Sequence, residues 1–165
     1  MKNIKIEIKW ALIFVVMMLA WMALEKSLGW HDEKIADHAT LTNLVAIPSI
    51  AIYIFALLDK KKNFYHGVMN YYQGFMTGLV ITLIVAILCP LSQYITLEFI
   101  TPDYFSKVIN YAVSAGEMTQ EEAASYFNLQ SYMIMSVVGA LIMGVATSAV
   151  VAIIVKSKSS ALSSR

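Results

Sequence analysis

LQSYMIMSVVGALIMGVATSAVVAIIV, residues 129–155, runs for 27 residues without one charged side chain. At a rise of about 1.5 Å per residue, a helix of that length covers roughly 40 Å. That exceeds the ~30 Å hydrocarbon core of a bilayer. The run has none of the apolar–polar alternation of a membrane barrel strand. In hydrocarbon, unpaired backbone groups are too costly for anything but a helix or a closed barrel. Three more apolar runs lie upstream, at 10–28, 41–58 and 75–95. The expected fold is therefore all-α: a four-helix transmembrane bundle.

Composition agrees with this. Of the 165 residues, 59% are hydrophobic and 14% charged, against about 25% charged in a soluble domain. A soluble fold of this size could not bury so much apolar surface. One cysteine, Cys89, excludes a disulfide scaffold. The expectation is one integral membrane domain over residues 1–158, followed by a cytoplasmic tail at 159–165. Lys2, Lys5 and Lys9 precede the first run as they would in a signal peptide. No small-x-small cleavage site follows, however, and Trp21 and Met22 stand where small residues would be needed. Lys9 and Lys26 suit an anchored helix, since each can reach its own surface.

Charge sets the expected orientation. The N-terminus, residues 59–74 and the C-terminal tail together hold nine basic and two acidic residues, a balance of +7. The two other loops hold three basic and nine acidic residues, a balance of −6. The positive-inside rule then puts both termini in the cytoplasm of a plasma or inner membrane. Anionic headgroups suffice to explain the basic side, so membrane lipids are the expected partner and nucleic acid is not.

The segment 96–128 is the largest piece outside the expected spans. Thr101-Pro102-Asp103 has the composition of a helix start, and Tyr104, Phe105, Val108, Ile109 and Ala112 recur at helical spacing. Gly116 ends that helix, and Thr119-Gln120-Glu121-Glu122 forms a capping box that opens another. This predicts an amphipathic helical hairpin over the outer surface. Residues Phe64–Gly74 read as an interfacial helix or an extension of the third span.

Helices in lipid associate through small residues that let backbones come close. Asn70, Gly74, Gly78, Thr82 and Ala86 recur every four residues in the third span, and Ser136, Ala140, Gly144, Ser148 and Ala152 do so in the fourth. These ladders are expected to face each other, with Gly74 opposite Ser148 and Ala86 opposite Ser136. Pro48 and Pro90 are expected to kink their spans, and Gln73 to bond a neighbouring helix.

Chemistry is sparse. Glu25 is the candidate intramembrane ionisable residue. The rise from Trp10 to Glu25 is roughly 22 Å, so with Ile4, Ile6 and Ile8 embedded Glu25 should reach the interface, solvated and dispensable. His31, Asp32, Asp37 and His38 are metal-ligating residue types, but their spacing matches no established site. The expectation is no metal and no cofactor. HExxH, GxSxG and phosphate-cradling glycine loops are missing from the sequence, so no catalytic residue is assigned and an enzyme is not expected. The functional expectation is an accessory or structural inner-membrane protein that docks a membrane-protein partner or a second copy of itself. The alternative is a small transporter or permeability element using Glu25 and the polar residues of the third span.

Several elements occur together: a lysine-tipped first span ending in Glu25 and Gly29, the Asp59-Lys60-Lys61-Lys62 stop, and a glycine-bearing third span. With them come Pro102-Asp103-Tyr104, Met118-Thr119-Gln120-Glu121-Glu122, and a fourth span carrying Gly144 and Ser148. This pattern resembles the bacterial membrane family catalogued as domain of unknown function 4199, over nearly the whole chain. The resemblance implies a four-helix inner-membrane protein without an assigned activity, and it transfers no catalytic residue. Topology reporters fused at the C-terminus and within 103–127 should give opposite answers. A C-terminus on the same side as 103–127 would refute the expected topology.

Overall fold

Each apolar run folds into a long helix; the first and third extend beyond their apolar runs, because helix continues where the flanking residues tolerate it. In the computed structural model, which describes residues 4–158, these are α1 (Lys5–Ser27), α3 (Ala46–Asn63), α4 (Tyr71–Ile95) and α7 (Leu129–Val155). The sequence-defined tail, 159–165, lies outside the described residues. A short helix α2 (His38–Leu41) and a 3₁₀ turn (Thr42–Val45) lead straight into α3, and a π-turn (Thr96–Ile100) extends α4. All four helices are long and apolar enough to cross a membrane, and the described residues contain no strand. The fold is an all-α four-helix transmembrane bundle.

The boundaries differ from expectation for local reasons. Lys60, Lys61 and Lys62 lie inside the last turn of α3, where positive charge complements the helix dipole instead of ending the helix. Pro48 lies in the first turn of α3, and the disturbance expected there takes the form of the 3₁₀ turn just before it. Pro90 lies within a continuous α4. The segment expected to continue as helix through Phe64–Gly74 is non-helical until Tyr71. Asn70 and Gln73 form a capping box there: Gln73 N–H donates to Asn70 Oδ1 and Asn70 N–H to Gln73 Oε1, each at 2.9 Å. Gln73 thus caps its own helix and does not bond a neighbour.

The α4–α7 contact is the most extensive in the bundle. A methyl group built on Gly78 would meet Ser148 Cα at 3.1 Å, and one on Gly144 would meet Thr82 Cβ at 3.0 Å. One on Gly74 would meet Ala152 Cβ at 3.3 Å. The two ladders therefore face each other one turn away from the expected register, with Gly74 opposite Ala152 and not Ser148. Ser136 Oγ donates to Met133 O on its own helix at 2.8 Å. The hydroxyls explain how polar residues fit in this seam. Ser148 Oγ donates to Gly144 O at 2.6 Å and Thr82 Oγ1 to Gly78 O at 3.0 Å. Tyr53 Oη then donates to Thr82 Oγ1 at 2.8 Å, which ties α3 to the same seam. Leu57, Ile81 and Val151 fill the core around it.

At the end of the bundle formed by the start of α1, the α3–α4 connection and the end of α7, charges are paired inward. Lys60 Nζ lies 2.8 Å from Glu7 and 3.8 Å above the Phe64 ring, and both Glu7 and Lys60 are buried. Asp59 accepts from Trp10 Nε1 at 2.7 Å and pairs with Lys9. What the sequence presents as a stop signal and a simple helix-end charge clamps α3 to α1. Residues 68–69 are closed onto the end of α7 by Ser157 N–H to Met69 O (2.8 Å) and Met69 N–H to Ser157 Oγ (3.1 Å).

At the opposite, acidic end stand α5 (Tyr104–Ser114) and α6 (Gln120–Tyr126). Gly116, at φ +71°, adopts the left-handed conformation that ends α5 and turns the chain. Thr119 and Glu122 form the expected capping box, whose hydrogen bonds hold the Glu122 carboxyl below its ordinary value. The seam makes a direct forecast. Gly144→Leu should destabilise the protein by at least about 1–3 kcal/mol through overpacking. Val145→Leu, at a side chain 42% exposed, should leave the melting temperature in detergent unchanged. Equal effects from the two substitutions would refute the packing.

Candidate functional site

Trp21 and Glu25 are four residues apart and share one face of α1. The Trp21 indole N–H donates to Glu25 Oε1 at 2.5 Å. Two turns of sequence later the chain reverses. Gly29 adopts φ +73°, a conformation that costs a glycine little, and Trp30 N–H donates back to Glu25 O at 3.0 Å. Consecutive turns then carry the chain to α2. This reversal lays two histidines over one carboxylate oxygen. His31 Nε2 is 3.0 Å and His38 Nε2 3.2 Å from Glu25 Oε2.

Glu25 is wholly buried and His31 is 4% exposed. The expectation of a solvated, interfacial Glu25 is therefore overturned. It failed because helix length alone gives depth, whereas the covering here comes from the loop folding back over the helix end. Lys26, the neighbouring cation, instead donates to Ile100 O on the π-turn. A carboxylate can only accept, so the hydrogen-bond pattern assigns an N–H to both Nε2 atoms and leaves each neutral ring an acceptor at Nδ1. His38 Nδ1 is served by the Tyr104 hydroxyl at 3.3 Å. His31 Nδ1 is buried with no hydrogen-bond partner.

Tyr104, on the first turn of α5, closes the cluster. Its ring stands edge-on to His31 and His38, with centroids 5.4 and 5.5 Å away, and the two imidazoles are themselves 4.7 Å apart. Its hydroxyl also lies 3.4 Å from that of Tyr132 on α7. Burial pushes the Tyr104 phenol above its ordinary pKa, so it remains a neutral hydroxyl able to donate. Beside His31 lies a crevice of about 20 Å³, lined also by Lys26, Asp32, Tyr104 and Lys107. It has room for about one water.

The acids nearest in sequence stay outside the cluster. Asp32 pairs with Lys107 of α5, and Asp37 is exposed just before α2. The sequence reading grouped the histidines with these two acids and treated Glu25 separately; the structure groups them with Glu25. The available signals were the Trp21–Glu25 spacing and the Gly29 reversal. Neither fixes where His31 and His38 land.

A second feature lies between the spans. A cavity of about 460 Å³ is lined by all four long helices, with Phe14, Tyr53, Val85 and Met143 among its apolar walls and Ser49, Ser136 and Thr147 among its polar groups. Glu25 does not line it.

A family model described as "Protein of unknown function (DUF4199)" matches residues 9–157. No curated protein and no solved structure matches. The geometry replaces the expectation that Glu25 is dispensable. Glu25→Ala would leave the buried N–H of His31 and the part-buried N–H groups of Trp21 and His38 without their acceptor. Each buried donor so stranded costs about 1–3 kcal/mol. The variant should melt several degrees below the parent in detergent, and an unchanged midpoint would contradict the arrangement.

Proposed function

The chain belongs to the DUF4199 family, and we propose that it is a non-enzymatic accessory protein of the bacterial inner membrane, with both termini cytoplasmic and the acidic end facing outward. The charge asymmetry supports this orientation. One observation carries the non-enzymatic reading. Glu25, His31, His38 and Tyr104 are engaged with one another, and the space beside His31 and Tyr104 is a crevice of about 20 Å³. An ion or a water fits there, and a substrate does not. The cluster works as a fastening: Glu25 and His38 hold the first loop to α1, Tyr104 holds α5 to His38, and the Tyr104–Tyr132 contact holds both to α7. The product is an outer platform of α5 and α6, fastened at Tyr104, for a membrane-protein partner or a second copy of the chain.

A second reading rests on the cavity of about 460 Å³. Its mostly apolar walls suit a lipid-soluble molecule taken from the bilayer. Because Glu25 stands apart from it, this version of a permeability element lacks a coupling carboxylate. Crosslinking mass spectrometry in native membranes separates the two. Reproducible crosslinks from Lys107 to one protein, or to a second copy, are the expected result. Absence of such links, together with labelling of cavity residues by an apolar photoprobe, would favour the second reading.

A further inference from the structure

We propose that Glu25, His31 and His38 form a binding site for one zinc-class divalent ion. One ligand atom from each of these residues lies within 4.8 Å of the others. Two imidazoles and a carboxylate are the donor set that zinc takes in three-ligand sites, with a water completing the tetrahedron.

Two further features fit the same assignment. The first is the orientation of the carboxylate. Trp21 Nε1 donates to Oε1, leaving Oε2 as the atom that both histidines face. Outer hydrogen bonds of this kind orient metal ligands and sharpen their affinity. The second is the Tyr104 hydroxyl beside His38 Nδ1. An ion at the Nε2 atoms takes the lone pairs there, and each ring carries its proton on Nδ1 instead. No proton is lost from either ring in this exchange. His38 Nδ1–H then has the Tyr104 oxygen as its acceptor, across the same 3.3 Å contact with its direction reversed. The ion would also supply positive charge beside a wholly buried carboxylate whose two histidine partners carry charge only when protonated.

The inference stands independently of whether α5 and α6 meet a partner. It is tested on the full chain, purified in detergent, stripped with a chelator and titrated calorimetrically with Zn²⁺, with Co²⁺ used as a spectroscopic probe. The expected result is one Zn²⁺ per chain and a cobalt absorption spectrum typical of four-coordination. His31→Gln and His38→Gln should each weaken binding by at least about 100-fold, and Tyr104→Phe by about 10-fold. Asp32→Asn and Asp37→Asn should bind like the parent, which separates this site from an acidic loop collecting ions. Helical circular dichroism verifies that each variant is folded, and the two histidine variants carry the test if Glu25→Gln does not fold. A chelated parent that takes up no Zn²⁺, or folded histidine variants that bind as tightly as the parent, would overturn the proposal.

Discussion

Apolar side chains gain nothing by leaving lipid for a helix interface, so a bundle in a bilayer must be held by close packing, and close packing needs backbones near one another. Here that requirement falls on α4 and α7. Gly78 lies against Ser148, and Gly144 against Thr82, at distances where a methyl group would overlap its neighbour. The same approach would be ruinous if it stranded polar atoms. Ser148 and Thr82 avoid this by returning their hydrogens to carbonyls one turn back on their own helices, and Tyr53 uses the remaining acceptor. Thus α3 joins the seam through a hydrogen bond and α1 through the apolar core.

A bundle drawn tight at its centre also closes over the polar residues at its ends, and each end solves the resulting problem differently. Where α1 begins, Glu7 meets the ammonium of Lys60, a fixed charge pair shielded further by the Phe64 ring. Removing one partner of such a pair is far more damaging than removing both. Where α1 ends, Glu25 meets two imidazoles and an indole N–H. Imidazole, unlike ammonium, can be neutral, charged or metal-bound near neutral pH. The acidic end is therefore the chemically versatile one, and the basic end is a clamp.

The four long helices supply the architecture, and family membership leaves activity open. Within that architecture two features could serve a function, and they are separate. One is a dense polar cluster with room for an ion or a water. The other is a roomy, largely apolar cavity that the cluster does not line. Their separation argues against coupled transport, in which the carboxylate would have to meet the cargo. The outer segment is tied through Tyr104 to His38 and Tyr132, and the cavity is an independent property of the four spans.

The number of spans, their helical form, the charge asymmetry and the helical outer segment were all legible in the chain, because each depends on consecutive residues and on the solvent they require. Residues 129–155 need hydrocarbon whatever they pack against, and Thr119–Glu122 caps a helix from within four residues. The pairing of small-residue ladders was legible as a kind of contact but not in register. Four-residue spacing repeats along a helix, so it fits one turn as well as the next; Thr82 and Tyr53, which are in different helices, chose between them. The burial of Lys60 was not legible, and Glu25, the candidate intramembrane carboxylate, was expected at the interface. Each reads as a surface charge from its neighbours in sequence, and each is buried by residues that arrive only after the chain has turned. Solvation of a segment is a local property and belongs to the sequence. The meeting of His31, His38 and Tyr104 over one oxygen of Glu25 depends on the angle of the turn at Gly29 and on where α5 lands, and only the assembled structure determines those.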